Sequence, residues 1–177
     1  MDAKLNAIRR VLWNDDDHYI SEEAQIIVDW VCSGTEIWNT KLTLTFTDDE
    51  MTFEKAEQRV QHYFSDLDKH VYGNAARRYN KRVNRFVVYE GGTKKERLHV
   101  HAALERPEKM GKEAFYDLLH RLWQKQQGAN VRTDIGFAYN IGWVKYIAKK
   151  MTGTNSFRVD GNNTWITSIS NTKQKAA

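Results

Sequence analysis

Two short runs of β-forming residues, separated by a glycine-containing turn, constrain the fold of this chain more than any other sequence feature. The runs are Phe86–Glu90 and Leu98–Leu104, and the segment Gly91–Lys95 lies between them. Strand-forming residues on both sides of a short loop that contains glycine are typical of an antiparallel hairpin. The sequence therefore predicts an antiparallel strand pair near the middle of the chain.

The hydrophobic periodicity of the neighbouring segments predicts the elements that flank this hairpin. Leu42, Leu44 and Phe46 alternate with threonines, which predicts a half-buried strand over Lys41–Thr47. Other segments predict helices over 53–71, about 112–126 and 141–151, and short strands over 130–135 and near 165–166. From residue 37 onward the order is β-α-β-β-α-β-α. This order predicts an α+β fold, a two-layer ferredoxin-like or split-βαβ sandwich with a largely antiparallel sheet.

The first 36 residues are predicted to form a helical extension that precedes this α+β unit. Leu5, Ile8 and Leu12 follow helical spacing, and Ser21 is placed as the N-cap of a second helix that ends at Ser33–Gly34. We therefore divide the chain into an N-terminal helical extension, residues 1–36, and a main domain, residues 37–177.

Composition restricts the classes of function that such a domain can serve. With 177 residues the chain fits one compact domain, and its single cysteine, Cys32, excludes an internal disulfide and a cysteine-cluster zinc site. No apolar stretch is long enough to span a bilayer and the N-terminus lacks a signal-peptide core, so we expect a cytoplasmic protein without a membrane partner. The formal net charge of +4 permits a nucleic-acid partner without requiring one.

The hairpin carries two histidines and a glutamate that can converge on one metal ion. His99 and His101 are two residues apart on a strand, so their side chains leave the same face. A register that pairs Glu90 with His99 brings the carboxylate beside both imidazoles. Two nitrogens and one carboxylate oxygen suit Mn²⁺, Mg²⁺, Zn²⁺ or Co²⁺. Glu96 is a second candidate for the carboxylate ligand, and solvated side chains at a strand end are the alternative without a metal.

A tyrosine followed by two lysines forms a second candidate site on the last predicted helix: Tyr146, Lys149 and Lys150. At steps of three and four residues, at least one ammonium shares the face of the phenol. A phenol beside an ammonium is suited to nucleophilic attack on phosphorus, whereas ordinary amphipathic packing is the simpler alternative. Tyr139 lies two helical turns earlier, but Asn140 indicates that the helix begins after it, so we favour a single nucleophilic tyrosine.

A cluster of cations before the hairpin is predicted to contact DNA phosphates. Five basic residues fall within nine positions, interleaved with Tyr79: Arg77, Arg78, Lys81, Arg82 and Arg85. A solvated helix end is the alternative explanation of this cluster. The predicted turn offers a second basic group: Lys94, Lys95 and Arg97.

Three of these segments, in this order, resemble the HUH endonucleases, which are named for a histidine-hydrophobe-histidine motif. The segments are Phe86–Glu90, Leu98–His101 and Tyr146–Lys149. The chain is most similar to the single-tyrosine rolling-circle replication initiator (Rep) branch of that superfamily, since Lys41–Thr47 resembles the first motif of this branch. The resemblance covers residues 37–152.

The resemblance implies a ferredoxin-like nuclease domain, within residues 37–177, that cuts one DNA strand. His99, His101 and Glu90 match the paired histidines and the acidic ligand, and they would hold a divalent ion, Mn²⁺ or Mg²⁺. Tyr146 matches the nucleophile, which forms a 5′-phosphotyrosine link and releases a 3′-hydroxyl, and Lys149 matches the lysine of the tyrosine motif. The implied function is initiation of rolling-circle replication of a phage, plasmid or other mobile element. It would take place in the cytoplasm of a bacterial host, on single-stranded or hairpin origin DNA, with a host helicase and polymerase.

The chain departs from the family pattern at both ends. Residues 1–36 precede the first motif, whereas Rep proteins often begin almost there, and the chain ends soon after the tyrosine helix, whereas many members continue into a helicase domain. Two alternatives stay open: a tyrosine transposase or relaxase of the same superfamily, and a non-catalytic nucleic-acid-binding module on a ferredoxin-like sheet. The binding module has no need of metal ligands, so the group of Glu90, His99 and His101 argues against it.

Overall fold

The computed structural model describes residues 21–48, 51–94, 96–138, 141–149 and 157–167. Within these residues the chain forms five helices: α1 (Glu22–Val31), α2 (Phe53–Tyr72), α3 (Asn74–Arg78), α4 (Lys112–Gln124) and α5 (Ile141–Ala148). It also forms five strands: β1 (Thr40–Thr45), β2 (Arg85–Glu90), β3 (His99–Leu104), β4 (Asp134–Phe137) and β5 (Phe157–Val159). The helix predicted around Leu5–Leu12 lies outside the described residues.

The strands form one antiparallel sheet in the order β4-β1-β3-β2-β5. β3 is central and pairs with β1 on one side and with β2, its hairpin partner, on the other. The hairpin register pairs Glu90 with His99, as the sequence predicts. The predicted α+β sandwich with a largely antiparallel sheet is therefore confirmed.

Two strand predictions differ from the structure. β4 covers Asp134–Phe137 rather than 130–135, because the side chain of Asn130 accepts a hydrogen bond from the Arg132 amide and turns the chain before the strand begins. Trp165 makes a single bridge to Arg85 instead of a strand, and the edge strand β5 lies earlier in the chain. β5 has only three residues, which is too short for a visible alternation of apolar and polar positions.

Helices α2 and α4 cover one face of the sheet and form the main core with it. Even-numbered residues of β1 and β3 and odd-numbered residues of β2 point to this face, because side chains alternate along a strand. The helices contribute buried side chains at spacings of three and four residues, among them Val60, Phe64 and Leu67 from α2 and Leu119 and Trp123 from α4. This face is apolar, so the chemistry predicted above belongs to the other one.

Helices α1 and α5 cover part of the opposite face. Their apolar side chains pack against Phe86, Val88 and Ala103 of the sheet: Val28 and Val31 from α1, and Val144, Ile147 and Ala148 from α5. α1 is the second helix of the predicted extension and packs directly against α5, while the division of the chain at residue 36 stays a prediction. The remaining part of this face is polar and carries the predicted metal ligands beside α5.

Candidate metal centre and nucleophile

The three predicted metal ligands meet on the polar part of this second face. One carboxylate oxygen of Glu90 lies 3.5 Å from Nε2 of His101, and the other lies 3.9 Å from Nε2 of His99. The side chains of Glu90 and His101 are only 7% and 10% exposed. Across the described ranges, these are the only three His, Cys, Asp or Glu residues whose ligand atoms lie within 4.8 Å of one another. The structure thus brings together the group that the hairpin register predicted.

Hydrogen bonds to the second ring nitrogen orient both imidazoles. His99 donates from Nδ1 to the carbonyl oxygen of Arg97 at 3.0 Å, which leaves Nε2 as the unprotonated nitrogen of the neutral ring. Nδ1 of His101 lies 2.9 Å from the hydroxyl of Thr43, the residue directly opposite it on β1. Metal-bound histidines are held in this way in many proteins, with the nitrogen that does not bind the metal bonded to a neighbouring group.

His101 is uncharged at neutral pH. Its pKa is lowered to about 4, mainly because the ring is buried and also because of the neighbouring charges of His99 and Lys149. The carboxylate of Asp134 opposes this shift. A neutral imidazole can bind a metal ion without first losing a proton.

The donor set fits a divalent cation. Nε2 of neutral His99 and Oε1 of Glu90 both accept hydrogen bonds, and they face each other at 3.9 Å, an arrangement that a cation between them stabilises. Two imidazole nitrogens and a carboxylate leave coordination positions open for water or a phosphate oxygen. Glu96, the alternative carboxylate ligand, is not part of this group, and its amide bonds to Thr93 within the turn.

Helix α5 places Tyr146 beside these ligands. Its ring centroid lies 6.3 Å from that of His101, and the residue is 46% exposed. Trp143, one turn earlier on the helix, stacks on Tyr146 with 5.0 Å between centroids and an interplanar angle of 12°. The indole nitrogen of Trp143 donates to the carbonyl oxygen of Ala102 on β3. Trp143 therefore connects the tyrosine ring to the strand that carries both histidines.

Lys149 lies over the face of the Tyr146 ring, with Nζ 3.6 Å from the ring centroid. Its charge also contributes to the lowered pKa of His101. The ammonium is therefore close to both the phenol and the histidine, which is the position expected of an assisting lysine. Lys150 and Tyr139, the alternatives for the assisting lysine and the nucleophile, lie outside the described residues.

Two residues of this site were missed by the sequence analysis. Thr43 shares a face with Lys41 and Thr45 on a predicted strand, but nothing local to β1 indicates that β3 lies beside it. Trp143 had a visible signal, since aromatic residues three positions apart on a helix lie on one face.

Three of the predicted DNA-contacting residues are exposed together at the far end of β2. Arg77 and Arg78 end α3 and Lys81 follows them, and these three are termed the basic trio. Tyr79 lies among them and is 73% exposed. A strand of six residues spans about 17 Å, so the basic trio lies about that far from Glu90, at the other end of β2.

The prediction that Arg85 contacts DNA is wrong. Its guanidinium is 2% exposed and donates to both carboxylate oxygens of Asp68, at 2.7 and 3.0 Å, and to the carbonyl oxygen of Asn163. The cause is its place as the first residue of β2, where odd-numbered side chains point into the main core. Arg82 is partly buried and lies 3.5 Å from the same carboxylate, and its contact with DNA stays a prediction.

A family model described as a replication-associated protein of the ORF2 type matches residues 39–154. The matched region is more than half of the chain and includes β1, the hairpin and α5. No curated protein and no solved structure matches the chain significantly. Among the described residues, no helix combines the length and the apolar composition needed to cross a membrane.

Proposed function

The chain belongs to this replication-associated protein family of the ORF2 type, a rolling-circle Rep family, and from that premise we propose a specific chemistry for it. We infer that it nicks and joins single-stranded DNA at a specific site, with a divalent metal ion and through a covalent 5′-phosphotyrosine intermediate. This reaction would initiate rolling-circle replication of a phage, plasmid or other mobile element. Family membership supports the role in DNA replication, and the nicking chemistry rests on the site.

One observation carries the proposal: a tyrosine ring lies beside a compact His–His–Glu group. The rings of Tyr146 and His101 are 6.3 Å apart, and Glu90 contacts the two histidines from the next strand. A hydrolytic metal nuclease needs no tyrosine, and a sheet that only binds nucleic acid needs no metal ligands. The combination therefore supports covalent strand transfer over both alternatives.

Glu90, His99 and His101 would hold the metal ion. A bound Mn²⁺ or Mg²⁺ supplies Lewis-acid polarisation of a non-bridging oxygen of the scissile phosphate. The hydroxyl of Thr43 and the carbonyl of Arg97 keep the two imidazoles turned toward Glu90. The low exposure of Glu90 and His101 limits hydration, which strengthens the attraction between the ligands and a cation.

Tyr146 would attack the scissile phosphate. A bond forms between its phenolic oxygen and phosphorus, and the bond from phosphorus to the 3′ oxygen breaks. The phenol loses its proton and the departing 3′ oxygen takes one up, so the products are a 5′-phosphotyrosine and a 3′-hydroxyl. Because a protonated phenol is a weak nucleophile, the nearby ammonium of Lys149 assists by stabilising the developing negative charge. The reverse reaction rejoins the strand.

The basic trio and Tyr79 would bind the DNA backbone away from the cleaved bond, since they lie at the opposite end of β2 from Glu90. Contacts to phosphates position a strand without reading its sequence. The partners in this proposal are single-stranded or hairpin origin DNA and, for unwinding and copying, a host helicase and polymerase. The proposed location is the cytoplasm of a bacterial host.

Covalent capture of labelled DNA on a denaturing gel tests the proposal. A pool of single-stranded oligonucleotides with randomised interiors is incubated with the protein and Mn²⁺, one sample carrying a 3′ label and the other a 5′ label. The 3′ label should move with the protein, because the tyrosine keeps the 5′ phosphate of the downstream fragment. The 5′ label should appear in a shorter free fragment that ends in a 3′-hydroxyl.

Tyr146→Phe is the matched control, because it removes one oxygen and keeps the ring that stacks on Trp143. It should abolish the adduct and keep Mn²⁺ binding, and EDTA should abolish the adduct of the wild type. An adduct that carries the 5′ label, survives Tyr146→Phe or resists EDTA would contradict the mechanism. DNA binding by the wild type without any adduct would favour the non-catalytic binding module.

A further inference from the structure

Lys41 lies on the same face of the sheet as the proposed metal centre. It is two residues before Thr43 on β1, so its side chain leaves the strand on the same side as the threonine that bonds to His101. Its ammonium lies 2.8 Å from Oδ2 of Asp134 and 5.9 Å from the centre of the Trp143 ring. Lys41 thus places a positive charge at the β4 side of the site.

Gly136 provides the space that the Lys41 side chain occupies. The two residues are directly opposite each other in the β1–β4 pair, and a Cβ at Gly136 would lie 2.8 Å from Cε of Lys41. The methylene chain of Lys41 therefore runs across the bare backbone of β4 and ends near the indole of Trp143. The ammonium is consequently held beside the site.

The ion pair with Asp134 is too exposed to account for this placement through stability. The side chains of Lys41 and Asp134 are 33% and 59% exposed, and ion pairs between such side chains contribute little to folding. Another anion can therefore replace the carboxylate. A DNA phosphate is suited to this, because lysine binds phosphate oxygens as a compact point charge.

We propose that Lys41 binds a backbone phosphate of the single strand that enters the metal centre, next to the scissile phosphate. Asp134 holds the ammonium until the strand displaces it. The step from Lys41 to Thr43 is about 7 Å along β1, so the lysine is near the metal ligands without being one of them. This inference rests on the proposed function, because the path of the strand is taken from the metal ligands and Tyr146.

Binding of fluorescein-labelled oligothymidine, followed by anisotropy over a series of salt concentrations with Mn²⁺ present, tests the inference. Lys41→Gln removes the charge, Lys41→Arg keeps it, and Asp134→Asn removes the competing carboxylate. Lys112→Gln is the matched control. Lys112 also lies 5.9 Å from an aromatic ring, that of Tyr116, but it belongs to α4, which covers the opposite face of the sheet.

Loss of one phosphate contact on single-stranded DNA reduces the slope of log affinity against log salt by about 0.7. Over a tenfold rise in salt, the affinity of the wild type should therefore fall about fivefold more than that of Lys41→Gln. Lys41→Arg and Lys112→Gln should keep the wild-type slope. Asp134→Asn should bind more tightly than the wild type, because no carboxylate competes for the ammonium. The Mn²⁺ affinity of Lys41→Gln, measured by calorimetry, should match that of the wild type.

An unchanged slope in Lys41→Gln would overturn the phosphate contact. Equal weakening by Lys41→Gln and Asp134→Asn would also overturn it, because that is the result expected if the pair only holds β1 to β4. If Lys41→Gln does not fold, the direction of the effect in Asp134→Asn decides the question. A wild type that binds no oligothymidine or forms no covalent adduct refutes the proposed function itself. A wild type that does both, together with an unchanged slope in Lys41→Gln, refutes only the role of Lys41.

Discussion

Removal of the Thr43 hydroxyl is the sharpest single perturbation of the proposed metal centre. This hydroxyl lies 2.9 Å from Nδ1 of His101, and the two residues face each other across the β1–β3 pair. Valine has the same branched shape and is favoured in strands. Thr43→Val therefore removes the hydrogen bond with little change in packing, and the orientation of His101 loses its support.

The size of the effect follows from the role of such outer contacts. Loss of the group that holds a metal-binding histidine weakens metal affinity roughly 10- to 100-fold. This corresponds to about 1.4–2.7 kcal/mol, since each factor of ten is about 1.4 kcal/mol. The His101 side chain is only 10% exposed, so water replaces the hydroxyl poorly. We therefore expect Thr43→Val to bind Mn²⁺ about 30- to 100-fold more weakly than the wild type.

Calorimetric titration with Mn²⁺ measures this difference in binding directly. Thr43→Ser should recover most of the affinity, because it keeps the hydroxyl. Thr45→Val is the matched control: Thr45 lies on the same face opposite His99, but its hydroxyl donates to the carbonyl of Arg132. Wild-type affinity in Thr43→Val, or an equal loss in Thr45→Val, would refute the argument that the hydroxyl orients His101.

Three further predictions concern the nucleophile, the buried arginine and the basic trio. Trp143→Ala should slow formation of the covalent adduct in single-turnover gels without weakening Mn²⁺ binding, because it removes the ring stacked on Tyr146, and Trp143→Phe should be intermediate. A rate unchanged in Trp143→Ala would contradict a positioning role. Arg85→Ala should lower the free energy of unfolding in urea by roughly 3–5 kcal/mol, because the Asp68 carboxylate stays buried without its main partner; a change near zero would count against this account. Replacing the basic trio with glutamine should flatten the salt dependence of single-strand binding by about 2 slope units, and an unchanged slope would exclude the trio from the interface.

The part of the site that the sequence predicts is the part that one hairpin contains. Glu90 and His99 flank the same turn, so a local register brings the carboxylate to both imidazoles, and the structure has this register. Tyr146 was found through its spacing to Lys149 on a predicted helix, and the structure places that lysine over its ring. These inferences need only strand alternation and helical spacing, which act between residues close in sequence.

Contacts between distant segments were decided by the tertiary structure. Thr43 holds His101 because β1 adds to the free edge of the hairpin, and no residue near β1 in sequence specifies that neighbour. Arg85 belongs to a basic run by composition, yet its strand position turns the guanidinium inward to Asp68 on α2. Charge in the sequence therefore did not distinguish an exposed cation from a buried one.

The sequence by itself determined the elements, the hairpin register and the residue types able to do the chemistry, because these depend on short-range periodicity and side-chain chemistry. The tertiary structure alone decided which elements share a face. The packing of α5 beside the polar part of the sheet brings Tyr146 to His101, and the pairing of β4 with β1 brings Asp134 to Lys41. The physical reason is that the order of strands and the packing of helices result from burying apolar surface over the whole chain, which no single segment encodes.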